Sequence, residues 1–247
     1  MLLKEKYQLA FITVLTVLLF SCGKDSACFK GTGDIVKEQR VISESVTNII
    51  TEDNIDIVIT QSNDASLTVE AGANLLPYIN TDVSGTVLSI SSDNRCGMFR
   101  DNTIPITVYL LIPNLTKIDY TGQGVITNTG VLMLESLDIE SFGGTGSINL
   151  NLNVERFTVG QHSGPADFTF TGTAKDVRVY TLGNGWFYMN DFITKKTHVN
   201  HSGIGDVIVN TVDELSVELR SRGNVIYYGS PTVSVSPHIG SGKVRKK

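Results

Sequence analysis

Residues 177–223, VRVYTLGNGWFYMNDFITKKTHVNHSGIGDVIVNTVDELSVELRSRG, hold two and a half copies of one unit. Each copy has an apolar residue on alternate positions, then a small-residue corner, then a second alternating stretch. Leu215, Val217 and Leu219 interleave with Glu214, Ser216, Glu218 and Arg220. Such a period of two is the signature of a half-buried strand. The corners are Leu182-Gly183-Asn184-Gly185, Ser202-Gly203-Ile204-Gly205 and the weaker Arg222-Gly223.

Working outward, the same corner recurs upstream as Thr121-Gly122-Gln123-Gly124, Gly143-Gly144-Thr145-Gly146 and Ser163-Gly164-Pro165-Ala166. It recurs downstream as Ile239-Gly240-Ser241-Gly242. The second small residue falls at 124, 146, 166, 185, 205, 223 and 242, so the spacing stays between 18 and 22 residues. Two positions after it stand Ile126, Ile148, Phe168, Phe187, Val207, Val225 and Val244. Six or seven positions before the corner stand Ile118, Ile139, Val159, Val179, Val199, Val217 and Val235. A third column holds Leu137, Phe157, Val177, Leu215 and Val233, with Thr197 as the exception.

A period near 20 residues with short strands predicts an all-β, right-handed β-solenoid (β-helix), one coil per repeat. A single coil exposes an apolar face and two unpaired backbone edges. Stacking coils about 4.8 Å apart pairs the edges and aligns the apolar columns. Glycine is required at the corners either because φ turns positive or because successive backbones approach too closely for a Cβ. Asp167, Asn184, Asp206 and Asn224, beside the corners, are expected to cap turn amides. Residues 33–115 alternate as strands (Ile55, Ile57 and Ile59; Ile104, Ile106, Val108 and Leu110) without the corner rule. They are expected to form irregular β structure or a cap continuous with regular coils over 116–247. A bare first coil would offer an open edge.

The N-terminus reads as a targeting segment. Lys4 and Lys6 precede the apolar run LAFITVLTVLLF, Leu9 to Phe20. Twelve residues are too few to span a bilayer, which takes roughly twenty. Leu19-Phe20-Ser21-Cys22-Gly23 resembles the bacterial lipobox, which implies cleavage after residue 21 and acylation of Cys22. Residues 22–32 then form an acylated tether, and the expected location is the outer membrane, facing the cell surface or the periplasm. Asp does not follow Cys22, so the best-known inner-membrane retention signal is missing.

The whole chain carries 20 basic and 25 acidic residues; without residues 1–21 it carries 18 and 24, a net charge of −6. This argues against nucleic acid, whose phosphates need a basic face. The basic tail, Lys243, Arg245, Lys246 and Lys247, is short and reads as a solubility feature. Cys28 and Cys96 make an even pair in an exported protein, a candidate disulfide. Two thiols without neighbouring histidines fall short of a tetrahedral metal site. No cofactor is expected.

No catalytic constellation emerges. His198 and His201 are three apart in a strand, so they face opposite sides; His162 and His201 occupy matching places before Ser-Gly. The Ser-Gly pairs lack the strand–turn–helix setting of a nucleophile elbow. The carboxylates Glu135, Asp138, Glu140, Asp213, Glu214 and Glu218 are scattered over outer strand positions. The aromatics are more informative. Trp186, Phe187, Tyr188 and Phe192 cluster, with Tyr180 upstream. If Phe187 is core, Trp186 and Tyr188 face outward, as a platform for sugar rings or a protein partner.

The corners at Gly122, Gly144, Gly183 and Ser202–Asp206 resemble those of the bacterial family described as putative auto-transporter adhesin, head GIN domain. So do the ending Gly223-Asn-Val-Ile-Tyr-Tyr-Gly-Ser-Pro231 with Gly240-Ser-Gly242, the opening Asn54-Ile-Asp-Ile-Val-Ile-Thr60, and Leu110-Leu-Ile-Pro-Asn-Leu115. The resemblance covers residues 33–247; Pro165-Ala166 and Ser221-Arg222 depart from it. It implies an exported β-solenoid lipoprotein and brings no catalytic residues. The expected function is a non-enzymatic, adhesin-like binding or scaffolding module of the cell envelope. The competing expectation is a carbohydrate-binding or carbohydrate-active β-helix, which a cleft lined by paired carboxylates and aromatics would favour.

Overall fold

The computed structural model describes residues 31–94 and 104–247. Apart from a 3-10 turn at Leu76–Tyr78, all regular structure among them is β. The long strands β10 (Leu132–Phe142), β11 (Ser147–Ser163), β12 (Asp167–Thr181), β13 (Phe187–His201) and β14 (Val207–Leu219) bend as they wrap around the stack. Each pairs in parallel with the next along most of its length. The coils present three outer faces. Face A carries β2 (Asn48–Thr51), β8 (Lys117–Tyr120), the C-terminal parts of β10–β14, and β16 (Thr232–His238). Face B carries β3 (Ile55–Gln61), β9 (Val125–Thr129), the N-terminal parts of β11–β14, then β15 (Val225–Tyr228) and β17 (Val244–Lys246). A third, shorter face joins Leu132–Leu134 of β10 to the middles of β11 and β12.

The apolar columns are in register. Ile57, Ile126, Ile148, Phe168, Phe187, Val207, Val225 and Val244 pair in sequence down face B. Ile49, Ile118, Ile139, Val159, Val179, Val199, Val217 and Val235 do so down face A. Phe157, Phe168, Phe170, Phe187 and Phe192 are among the largest side chains buried in the core. Phe157 meets Phe170 edge to face at 4.7 Å and Phe192 at 5.6 Å. Thr197, out of place in its apolar column, joins a buried hydroxyl triad with Thr194 and Thr211, at 2.6, 3.1 and 2.8 Å. All three hydroxyls thereby find partners, as burial demands.

Chain order and spatial order diverge at the N-terminal end. Asn48 pairs with Lys117 and Ile57 with Ile126, so the β2–β3 coil lies directly beneath the β8–β9 coil. On its other side lie β6 (Val87–Ser92) and β7 (Ile106–Ile112), which come later in sequence. The β2–β3 coil is thus sandwiched between β6–β7 and β8–β9. Its corner uses Asp53, with φ +61°, where later corners use glycine. Beyond β7 and β6 the direction reverses. β4 (Ser66–Gly72) covers the edge of β7, β5 (Ile79–Ser84) covers β6, and β1 (Ile35–Arg40) covers β4, all antiparallel. These strands close the sheet edges that an uncapped solenoid would expose.

Inside the corners runs a polar column: Thr51, Tyr120, Ser141, Gln161, Thr181 and His201 pair in sequence and are buried. Tyr120 donates its hydroxyl to the Gly124 carbonyl at 2.7 Å, and burial pushes its phenol up to about 12. Gln161 donates to the carbonyls of Gly164 and Ala166 at 3.1 and 2.9 Å. Tyr120 and Gln161 thus donate to corner carbonyls, and the Gly164 carbonyl also accepts from the Asn184 amide. Of the two reasons for corner glycines, close approach governs most. A Cβ on Gly185 or Gly205 would sit within 3.0 Å of the preceding corner's backbone, whereas Gly143 needs its φ of +77°.

Candidate binding surfaces

Among the described residues, no group of three or more His, Cys, Asp or Glu is placed to hold a metal ion. No helix there is long and apolar enough to cross a membrane. Cys22, Cys28 and Cys96 lie outside the described residues.

Phe187 is buried and stacks on Phe168 at 4.5 Å, so its neighbours Trp186 and Tyr188 point outward on face B. They stack with centroids 6.1 Å apart and planes at 11°, and are 40% and 37% exposed. The backbone beneath them is fixed by the previous coil. The Trp186 amide donates to Asp167 Oδ1 at 2.8 Å, and its carbonyl accepts from the Phe168 amide at 2.8 Å. Asp206 and Asn224 act alike, accepting from the amides of Asn224 and Lys243. These polar corner residues therefore clamp coil to coil, and do not cap their own turns. Tyr188 lies between Thr169 and Ile208 in its ladder. The result is a rigid, half-exposed aromatic pair with little rotamer entropy to lose on contact.

The other aromatics of the sequence cluster go elsewhere. Phe192 is core, and Tyr180 lies on face A with Phe142 and His162. Phe142, half-exposed, stacks on the His162 ring at 4.3 Å and 3°; Tyr180 lies 5.4 Å beyond. His162 Nε2 meets Glu140 Oε2 at 2.5 Å. The expected equivalence of His162 and His201 is corrected by this placement. His201 aligns with Thr181 and Gln161 and faces inward, whereas His162 faces outward. A register shift, where Phe142 pairs with Ser163, adds a residue to that corner.

Next to this cluster, face A holds a trough of about 620 Å³ that crosses the strands from Ser136 to Glu214. One wall is the ladder Arg156, Asp176, Lys196 and Glu214 at the strand bend. The other is Asp138, Thr158, Arg178, His198 and Ser216. Burial, with Glu140 beside it, holds the Asp138 carboxyl above the usual carboxylate range. No sequence motif marks this trough, since its residues lie 18 to 20 apart and only the coil register brings them together. Asp138 and Glu214, counted among scattered surface acids, line it.

The comparisons agree with the geometry. The chain resembles a solved structure described as a putative adhesin from Bacteroides fragilis NCTC 9343, at 22% identity and TM-score 0.80, covering 88% of this chain and all of that one. A protein described as a putative lipid binding protein from Parabacteroides distasonis ATCC 8503 gives 20% identity and TM-score 0.68, covering 88% and 99%. A putative adhesin from Parabacteroides merdae ATCC 43184 gives 18% and 0.62, covering 88% and 98%. At these identities the likeness concerns the fold. No curated protein sequence matches. The profile of one family matches residues 46–231, three quarters of the chain's length, so the chain belongs to the family described as putative auto-transporter adhesin, head GIN domain.

Proposed function

We propose that the chain is a non-enzymatic, lipid-anchored binding module of the cell envelope, adhesin-like, held at the outer membrane through Cys22. The observation that carries this is the Trp186–Tyr188 stack: two exposed aromatics fixed on a flat β face by backbone bonds to the neighbouring coil. Exposed aromatics with a polar edge are the side chains binding surfaces favour. The family's description and the lipobox-like Leu19–Cys22 support the same reading. The test is capture of the full chain on arrays of glycans and extracellular proteins. Trp186→Ala and Tyr188→Ala should each weaken the strongest capture at least about tenfold. Unchanged capture by both variants would refute the platform.

A second reading, binding of carbohydrate, is favoured by the trough on face A. Carboxylates at Asp138, Asp176 and Glu214 line it together with the hydroxyls of Ser136, Thr158 and Ser216, and the aromatics Tyr180 and Phe142 stand beside His162 on the same face, outside that lining.

A further inference from the structure

The charges lining the trough are answered unequally. On the bend wall Arg156, Asp176, Lys196 and Glu214 alternate in sign from coil to coil. Arg156 pairs with Glu135 at 2.7 Å, Lys196 pairs with Glu214 at 3.2 Å, and Asp176 lies between the two cations. On the opposite wall, His198 Nδ1 lies 3.3 Å from Ser216 Oγ and Nε2 lies 3.6 Å from Glu218. Arg178 stands between Thr158 and His198 and, among the described residues, has no hydrogen-bond acceptor and no ion-pair partner. Asp138 lies two coils from Arg178 in the same ladder and makes no ion pair with it.

From this arrangement we infer that the trough binds a linear glycan bearing carboxylate groups, with the Arg178 guanidinium gripping one carboxylate. A planar guanidinium offers paired N–H donors that match a carboxylate's two oxygens. Around it Thr158, Ser136 and Ser216 supply hydroxyls, which donate and accept as sugar hydroxyls require. Tyr180, two residues beyond Arg178 on the same strand face, offers a ring surface beside His162. The trough spans the five coils from Ser136 to Glu214, about 19 Å at about 4.8 Å per coil, enough for several sugar units in a row. An extended acidic peptide fits less well. The strands beneath spend their N–H and C=O groups on neighbouring coils, leaving no edge for main-chain pairing.

The inference rests on the reading of the chain as a binding module, and its test separates the two. Polygalacturonate is titrated into the full chain, alongside the same polymer with its carboxyl groups reduced to alcohols and alongside polyglutamate. Arg178→Gln should bind polygalacturonate at least about tenfold more weakly, with unchanged melting temperature, since the side chain has no partner to lose. Arg178→Lys should recover part of the affinity, and Lys37→Gln, a cation on the distant strand β1, should change nothing. The reduced polymer and polyglutamate should bind weakly or not at all. Equal binding by Arg178→Gln, by the reduced polymer or by polyglutamate would overturn the inference. So would failure of the unaltered chain to bind polygalacturonate; if array capture still depended on Trp186, the binding-module reading would survive that failure.

Discussion

Replacing Gly185 by alanine asks whether the corners need glycine for space or for conformation. A Cβ there would lie 2.6 Å from the Ala166 carbonyl carbon and 2.6 Å from Gln161 Nε2, and closer still to the Ala166 oxygen. The obstacle is backbone of the coil below, which is pinned on both sides. Overpacking against a rigid neighbour costs about 1–3 kcal/mol, here at the upper end. Displacing Gln161 from its 2.9 Å bond to Ala166 adds about 1 kcal/mol. The total is roughly 3–4 kcal/mol, or a fall of about 10 °C in Tm for a chain of this size. Gly143→Ala is the counterpart. Its φ of +77° is left-handed but its Cβ meets only Ser163 Oγ, at 4.0 Å. The cost there is the left-handed penalty alone, about 1–2 kcal/mol. Urea unfolding followed by far-UV circular dichroism compares the two variants. If Gly143→Ala proves as costly as Gly185→Ala, or costlier, the close-approach account of the corners is wrong.

Other perturbations bear on separate parts of the account. Gln161→Leu removes the side-chain donor of the Ala166 carbonyl, while the Gly164 carbonyl keeps the Asn184 amide, and should cost about 1–3 kcal/mol in urea titrations. Burial holds the His201 imidazole below its usual range, so the folded chain favours the neutral ring while the unfolded chain protonates it near pH 6.5. The unfolded state then binds more protons, and stability should fall as pH drops below about 6.5. His201→Leu, matching Leu219 at the same place in the next coil, should flatten that slope between pH 7.5 and 5.5; an unchanged slope would clear His201. Cys22→Ala should release the chain from membranes, and labelled fatty acid still attached to the variant would exclude the lipobox reading.

The regular coils were readable because their register equals the repeat. Ile148, Phe168 and Phe187, one repeat apart in sequence, are also neighbours in space. At the N-terminal end that equality fails. Ile57 pairs with Ile126, a separation that no 20-residue period reveals, and Asp53 takes the left-handed corner without a glycine to mark it. The outward placement of Trp186 and Tyr188 followed from strand alternation once Phe187 was assigned to the core. Arg178 and its trough gave no such signal. Outward positions tolerate almost any polar residue, and only the coil register brings Arg156, Arg178 and Lys196 to line one concavity. The bulge at Phe142 likewise changes which face His162 occupies, and a one-residue shift of that kind leaves no mark in composition.

The most direct measurement of the central claim is protease shaving of intact cells that express the full chain, read out with an antibody against residues 33–247. The account predicts loss of the signal without lysis, because a binding module with an outward Trp186–Tyr188 platform must meet its ligand outside the cell. Protection in intact cells, with digestion only after the outer membrane is opened, would contradict the adhesin-like role.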